Sequence, residues 1–131
     1  MSTILQNPAV KLVDYQGEQL EPGQLIERIT QLAFCVTDQH GNFVEVNDAY
    51  TEFYGYSREE LIGNHFTMVV PEAYRDYAAD VHNRFIAGEV EMPAEWQVQR
   101  RNGELVRIFA EAIRVEGEGG NSKLTVIEPI R

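Results

Sequence analysis

TDQHGNFVEVNDAYTEFYGYSREELIG, residues 37–63, carries more local structural instruction than any other stretch of the chain. Thr37 and Asp38 end an apolar run that begins at Ala33, and Gln39-His40-Gly41-Asn42 follows as a tight turn. Gly41 suits a turn position of positive φ, and Asp38 and Asn42 flank it as turn formers do. Phe43 to Val46 reads as a short strand. Asn47 then opens a helix, its side-chain oxygen available to the free amides of the first turn, with Asp48 favourable at the positive end. Ser57-Arg58-Glu59-Glu60 has the spacing of a capping box, so a second short helix starts there. Gly55 and Gly63 close the two helices.

Thr37-Asp38, Gly41, Phe43, Asn47, Ala49, Gly55-Tyr56, Glu60-Leu61 and Gly63, in this register, resemble the amino-terminal half of a PAS domain, the small sensory and interaction module of signalling proteins. The resemblance continues more loosely to about Val126. It implies an α+β fold, an antiparallel sheet of about five strands with helices packed on one face and inserted between the second and third strands. The expected division is an amino-terminal leader or cap over 1–22 and a domain over 23–131, with a flanking helix at 23–31 and a core at 32–128.

Outward from that stretch, Leu25, Ile29 and Leu32 share one helical face. The resemblance offers this flanking helix as a dimer support; folding onto its own sheet is the alternative. Ala9 to Val13 either adds a short strand, packs as a flap or belongs to a loosely ordered leader. Beyond the small helices, Pro71 suits a helix start and Gly88 its end, with Tyr74, Tyr77, Ala78, Val81 and Phe85 at spacings of three and four. Met92, Ala94, Trp96 and Val98 alternate with polar residues as a half-buried strand does. Asn102-Gly103 is a strong hairpin signal. The next strand sets Val106, Ile108, Ala110 and Ala112 on one face and Leu105, Arg107, Phe109, Glu111 and Ile113 on the other. Gly117 to Asn121 reads as a loose turn before a last strand through Leu124 and Val126.

The chain has 131 residues, 44% of them hydrophobic and 24% charged, as an ordinary single globular domain does. A net charge of -10 with 11 lysines and arginines argues against nucleic acid and anionic membrane surfaces as partners. The single cysteine, Cys35, excludes an intrachain disulfide. With no membrane-length apolar run and no secretory signal, a cytoplasmic location is expected.

Signatures of chemistry are missing: His40, His65 and His82 are too dispersed for a metal site, and no nucleophile motif is present. A non-catalytic module is therefore expected. The resemblance raises three cofactors. Flavin-binding relatives carry a cysteine in a motif that Gly63-Asn64-His65-Phe66 lacks, and coumaroyl attachment needs a cysteine beyond the small helices, whereas Cys35 precedes them. Haem remains as an alternative through His82 on the long helix, although the alignment puts the family's ligand nearer Asp76 to Ala78.

The leading expectation is a sensory module that binds a small apolar or aromatic ligand or a protein partner and passes a conformational change to a separate effector chain or domain. Its candidate pocket is Phe34, Val36, Phe53, Tyr56, Phe66, Tyr77, Val81, His82, Phe85, Trp96, Val98, Ile108 and Ala110. The same residues would also compose a filled core, which gives a second alternative, a pure dimerisation module. A homodimer is expected through Leu25, Ile29, Leu32, Leu105, Phe109 and Ile113.

Overall fold

The computed structural model describes residues 5–130; residues 1–4 of the expected leader and Arg131 lie outside the described residues. In chain order the elements are β1 (Lys11–Val13), β2 (Gln19–Leu20), α1 (Pro22–Ile29), β3 (Ala33–Thr37), β4 (Phe43–Val46), α2 (Asp48–Tyr54) and α3 (Arg58–Leu61). Two 3-10 turns, Phe66–Val69 and Glu72–Tyr74, lead into α4 (Arg75–Ile86), and β5 (Ala94–Gln99), β6 (Leu105–Gly117) and β7 (Gly120–Pro129) complete the fold.

The local signals of residues 37–63 take the expected form. Gly41 sits at φ +86°, and the side chain of Asn47 accepts from the amide of Tyr50 at the start of α2. Both arms of the Ser57–Glu60 box are made. Asn47 does more than cap: its Oδ1 also accepts from Phe34 N at 3.0 Å and its Nδ2 donates to Leu32 O at 2.7 Å. One side chain thereby fixes the start of α2 against the entry to β3.

The sheet runs β2-β1-β6-β7-β3-β4, with β5 also paired to β6. All pairings are antiparallel. It has seven strands rather than about five, because the leader contributes the β1–β2 hairpin. β6 is long enough to serve both: its first half, Leu105 to Ala110, pairs with β5 and its end, Arg114 to Glu116, with β1. The turn expected to be loose is tight, Gly117 pairing directly with Gly120 at φ +120°. That φ is open to glycine at little cost.

Strand alternation sends side chains to two separate cores. Ala33, Cys35, Val98, Ile108, Ala110 and Ile127 face an inner layer with Tyr50, Tyr54, Leu61 and Val69 from the helical side. Phe34, Val36, Ile113, Val115, Leu124 and Val126 face outward, under Leu25 and Ile29 of α1, Leu12 of β1 and Leu5. Helices thus cover both faces, not one.

The amphipathic face of α1 is spent inside the chain, Leu25 being 3% and Ile29 1% exposed. Ile113 is fully buried beside them and Leu32 packs against the same cluster. These four are therefore not available to a partner, as the dimer expectation required. Each such burial contributes about 1.5–3 kcal/mol, more than a weak interface offers. Arg28 adds an exposed ion pair to Glu111 of β6 at 3.1 Å. Pairs of this kind contribute about 1 kcal/mol or less.

Candidate functional site

Between α4 and the inner face of the sheet lies a cavity of about 80 Å³. Its apolar wall comes from Phe66, Val69, Val70, Ala78, Val81, Trp96, Val98, Ile108, Ala110 and Ile127. Its polar groups are Cys35, Thr37, Tyr50, Tyr54, His82, Glu91, Lys123 and Thr125. The pleat explains the set: Cys35 and Thr37 are two apart on β3, and Lys123, Thr125 and Ile127 on β7, so each group shares the inner face.

One polar cluster is formed by Cys35, Tyr50 and Tyr54. The tyrosine rings are 4.7 Å apart, and both phenols hold their protons well above the ordinary range because burial penalises the phenolate. Burial also pushes the Cys35 thiol up to about 11, against a weaker opposing hydrogen bond from Tyr50. This thiol is inert at neutral pH.

A second cluster surrounds His82, which is 2% exposed. Its Nε2 lies 3.0 Å from Thr37 Oγ1, and Thr37 donates onward to the carbonyl of Lys123 at 3.4 Å. Nε2 is then the protonated nitrogen, and Nδ1 lacks a hydrogen bond of ordinary geometry among the described residues. Phe66 stacks on the imidazole at 5.2 Å. Burial, followed by the charge of Lys123, pulls the His82 pKa down to about 4, so the ring is neutral at physiological pH. At the cavity margin Lys123 Nζ meets Glu91 Oε1 at 2.5 Å and lies 5.3 Å from the centre of the Phe85 ring.

Of the residues expected in the pocket, Phe66, Val81, His82, Trp96, Val98, Ile108 and Ala110 line the cavity. Phe34 and Val36 are on the opposite face of the sheet, in the outer core. Phe53 packs edge-on to Tyr54 and under Arg100, and Tyr56 packs around the inner core without reaching the cavity. Tyr77 is 62% exposed, tilted over Trp96. Phe85 is buried beneath the Arg114 guanidinium, 4.5 Å from its ring centre. The buried face of α4 is Ala78, His82 and Phe85, with His82 at its centre.

Sequence reasoning missed Glu91, Lys123, Thr125, Tyr50 and Tyr54 as cavity residues. The signal for the strand pair was available in the alternation of Lys123, Thr125 and Ile127 with Leu124 and Val126.

The residues present do not fit haem. A cavity of about 150 Å³ is needed for benzene alone, and a tetrapyrrole is several times larger. His82 Nε2 is engaged with Thr37.

A family model described as PAS domain matches residues 31–129. The chain belongs to the PAS domain family. Solved PAS domains share its fold. That of a Colwellia psychrerythraea protein is 20% identical over 82% of this chain and 97% of that one, with a TM-score of 0.69. A Desulfitobacterium hafniense PAS domain is 14% identical over 76% of this chain and 92% of the other, TM-score 0.68. The PAS domain of the Cronobacter turicensis RpfR quorum-sensing receptor, solved in complex with C12:0, is 18% identical over 76% and 94%, TM-score 0.64. At these identities the likeness is one of fold. Among curated proteins nothing matches. No helix of the described residues is long and apolar enough to cross a membrane.

Proposed function

We propose that this PAS domain is a non-catalytic cytoplasmic sensor that holds a small ligand between α4 and the sheet and relays its presence to a separate effector chain or domain. The observation that carries the reading is the cavity itself, an apolar wall with polar groups held at fixed positions, the usual make-up of a ligand site. At about 80 Å³ it takes a ligand of about three to five heavy atoms, by comparison with the cavity benzene needs. C12:0, named for the RpfR domain, would need more room than this. Trp96 lines the cavity and is the single tryptophan of the chain, so its emission reports occupancy. The test is titration with small neutral probes such as 1-propanol, read by Trp96 emission and amide shifts. Saturable shifts confined to cavity residues, abolished by the cavity-filling Ala110→Leu, are expected. Absence of saturation in a folded protein would count against the reading.

A second copy of the chain is the partner proposed for the outer face of β6. Leu105 and Phe109, 51% and 44% exposed, occupy the half of that face that α1 leaves bare. Sedimentation of the protein and of Phe109→Glu at high concentration tests it: a mass that falls in the variant supports the dimer, and an unchanged monomer refutes it.

A further inference from the structure

We infer that Lys123 is the recognition point for a small monocarboxylate, and that Glu91 occupies the ligand's place when the cavity is empty. This rests on the cavity reading and names its ligand class. The starting observation is a lysine 7% exposed in the middle of a core strand. A buried ammonium is costly unless paired, and Lys123 is paired once, to Glu91, with side-chain exposures of 9% and 11%.

The two partners are unequally fixed. Lys123 is locked by the backbone of β7, in register with Thr37 on one side and Arg114 on the other. Glu91 lies in the link between α4 and β5. The start of that link is pinned by Arg114, which donates to Phe85 O at 3.0 Å and to Glu89 O at 2.8 Å, and by Asn121, which donates to Ile86 O at 3.1 Å. From 90 to 93, the bond from Lys123 to Glu91 is the single hydrogen bond among the described residues. The neighbours Val90 and Met92 are 65% and 63% exposed. Glu91 can therefore swing into water without breaking a regular element, whereas Lys123 has nowhere to go.

Selectivity follows from charge balance. A neutral ligand that displaced Glu91 would leave the ammonium buried and unpaired, so neutral molecules fit only beneath the closed link. A carboxylate restores the pair and sets its short alkyl chain against the apolar wall. Entry of the carboxylate then frees residues 90–93, and the same event that binds the ligand changes the surface beside α4.

The test compares propionate with 1-propanol in the full chain and in Glu91→Gln and Lys123→Met, read by Trp96 emission and by the amide signals of Val90 and Met92. Glu91→Gln removes the competing anion and is expected to tighten propionate binding at least tenfold and to raise the ratio of propionate to 1-propanol affinity by a similar factor. Lys123→Met is expected to lower the ratio of propionate to 1-propanol affinity at least tenfold. In the parent chain propionate, and not 1-propanol, should shift Val90 and Met92. Propionate affinity unchanged or weakened in Glu91→Gln overturns the inference, and does so even if Lys123→Met fails to fold. Binding of 1-propanol without propionate in every form sinks this inference and leaves the cavity reading standing; binding of neither sinks both.

Discussion

Acidification should destabilise this domain through His82. The imidazole is neutral in the folded state down to about pH 4, whereas in the unfolded chain it protonates near its ordinary value of about 6.5. A depressed folded pKa means that the unfolded chain binds the extra proton. The contribution is therefore complete above about pH 6.5 and is lost as pH falls toward 4, with a slope approaching 1.36 kcal/mol per pH unit. By pH 5 the loss from this group is about 2 kcal/mol, and by pH 4 about 3 kcal/mol. The groups facing the ring are consistent with this: Lys123 and His65 oppose a positive charge, and Asn83 and the more weakly acting Asp38 do not offset burial. The assay is urea unfolding between pH 4.5 and 7.5 for the parent and for His82→Gln. The variant has its own baseline stability, so the readout is the difference in pH slope. The parent should lose about 2 kcal/mol more than the variant between pH 7 and 5. Parallel pH profiles would refute the assignment of a buried neutral imidazole.

Asn47→Ala removes a cap and two backbone bonds together, and should cost about 2–4 kcal/mol in urea unfolding, more than an ordinary cap. Gly41→Ala places a Cβ 2.5 Å from His65 Nε2 at φ +86°; a loss of about 1–3 kcal/mol is expected, with calorimetry as the check. Cys35, raised to about 11 by burial, should resist an aromatic disulfide reagent at pH 8 and react only at the rate of unfolding. Rapid labelling of the native protein would contradict its placement.

Much of the small-helix segment was legible because its determinants are local. A glycine turn, an asparagine cap and a serine box each act over a few residues, and no distant contact has to be known. The hairpin at Asn102-Gly103, where Gly103 sits at φ +88°, was legible for the same reason. The site was less so. β3 is buried along its whole length, so its apolar run gives no alternation from which to tell that Phe34 and Cys35 serve different cores. The phase of α4 was misread for another reason. Glu72–Tyr74 winds as a 3-10 turn ahead of α4, which takes Tyr74 out of the helical phase, and within α4 the buried stripe is Ala78, His82 and Phe85, one residue round from the Tyr77 and Val81 stripe that the aromatic spacing suggests. The pairing of Glu91 with Lys123 joins residues 32 positions apart and follows from no local pattern.

Consecutive residues of β3, Cys35 and Val36, belong to opposite cores, and the sheet between them is a party wall one backbone thick. Interiors are packed at the density of organic crystals, so neither room can be refurnished without pressing on the other. A substitution under α1 therefore bears on the side chains around Cys35 through a single layer of backbone. For this fold, the stability of both cores is measured at the same partition.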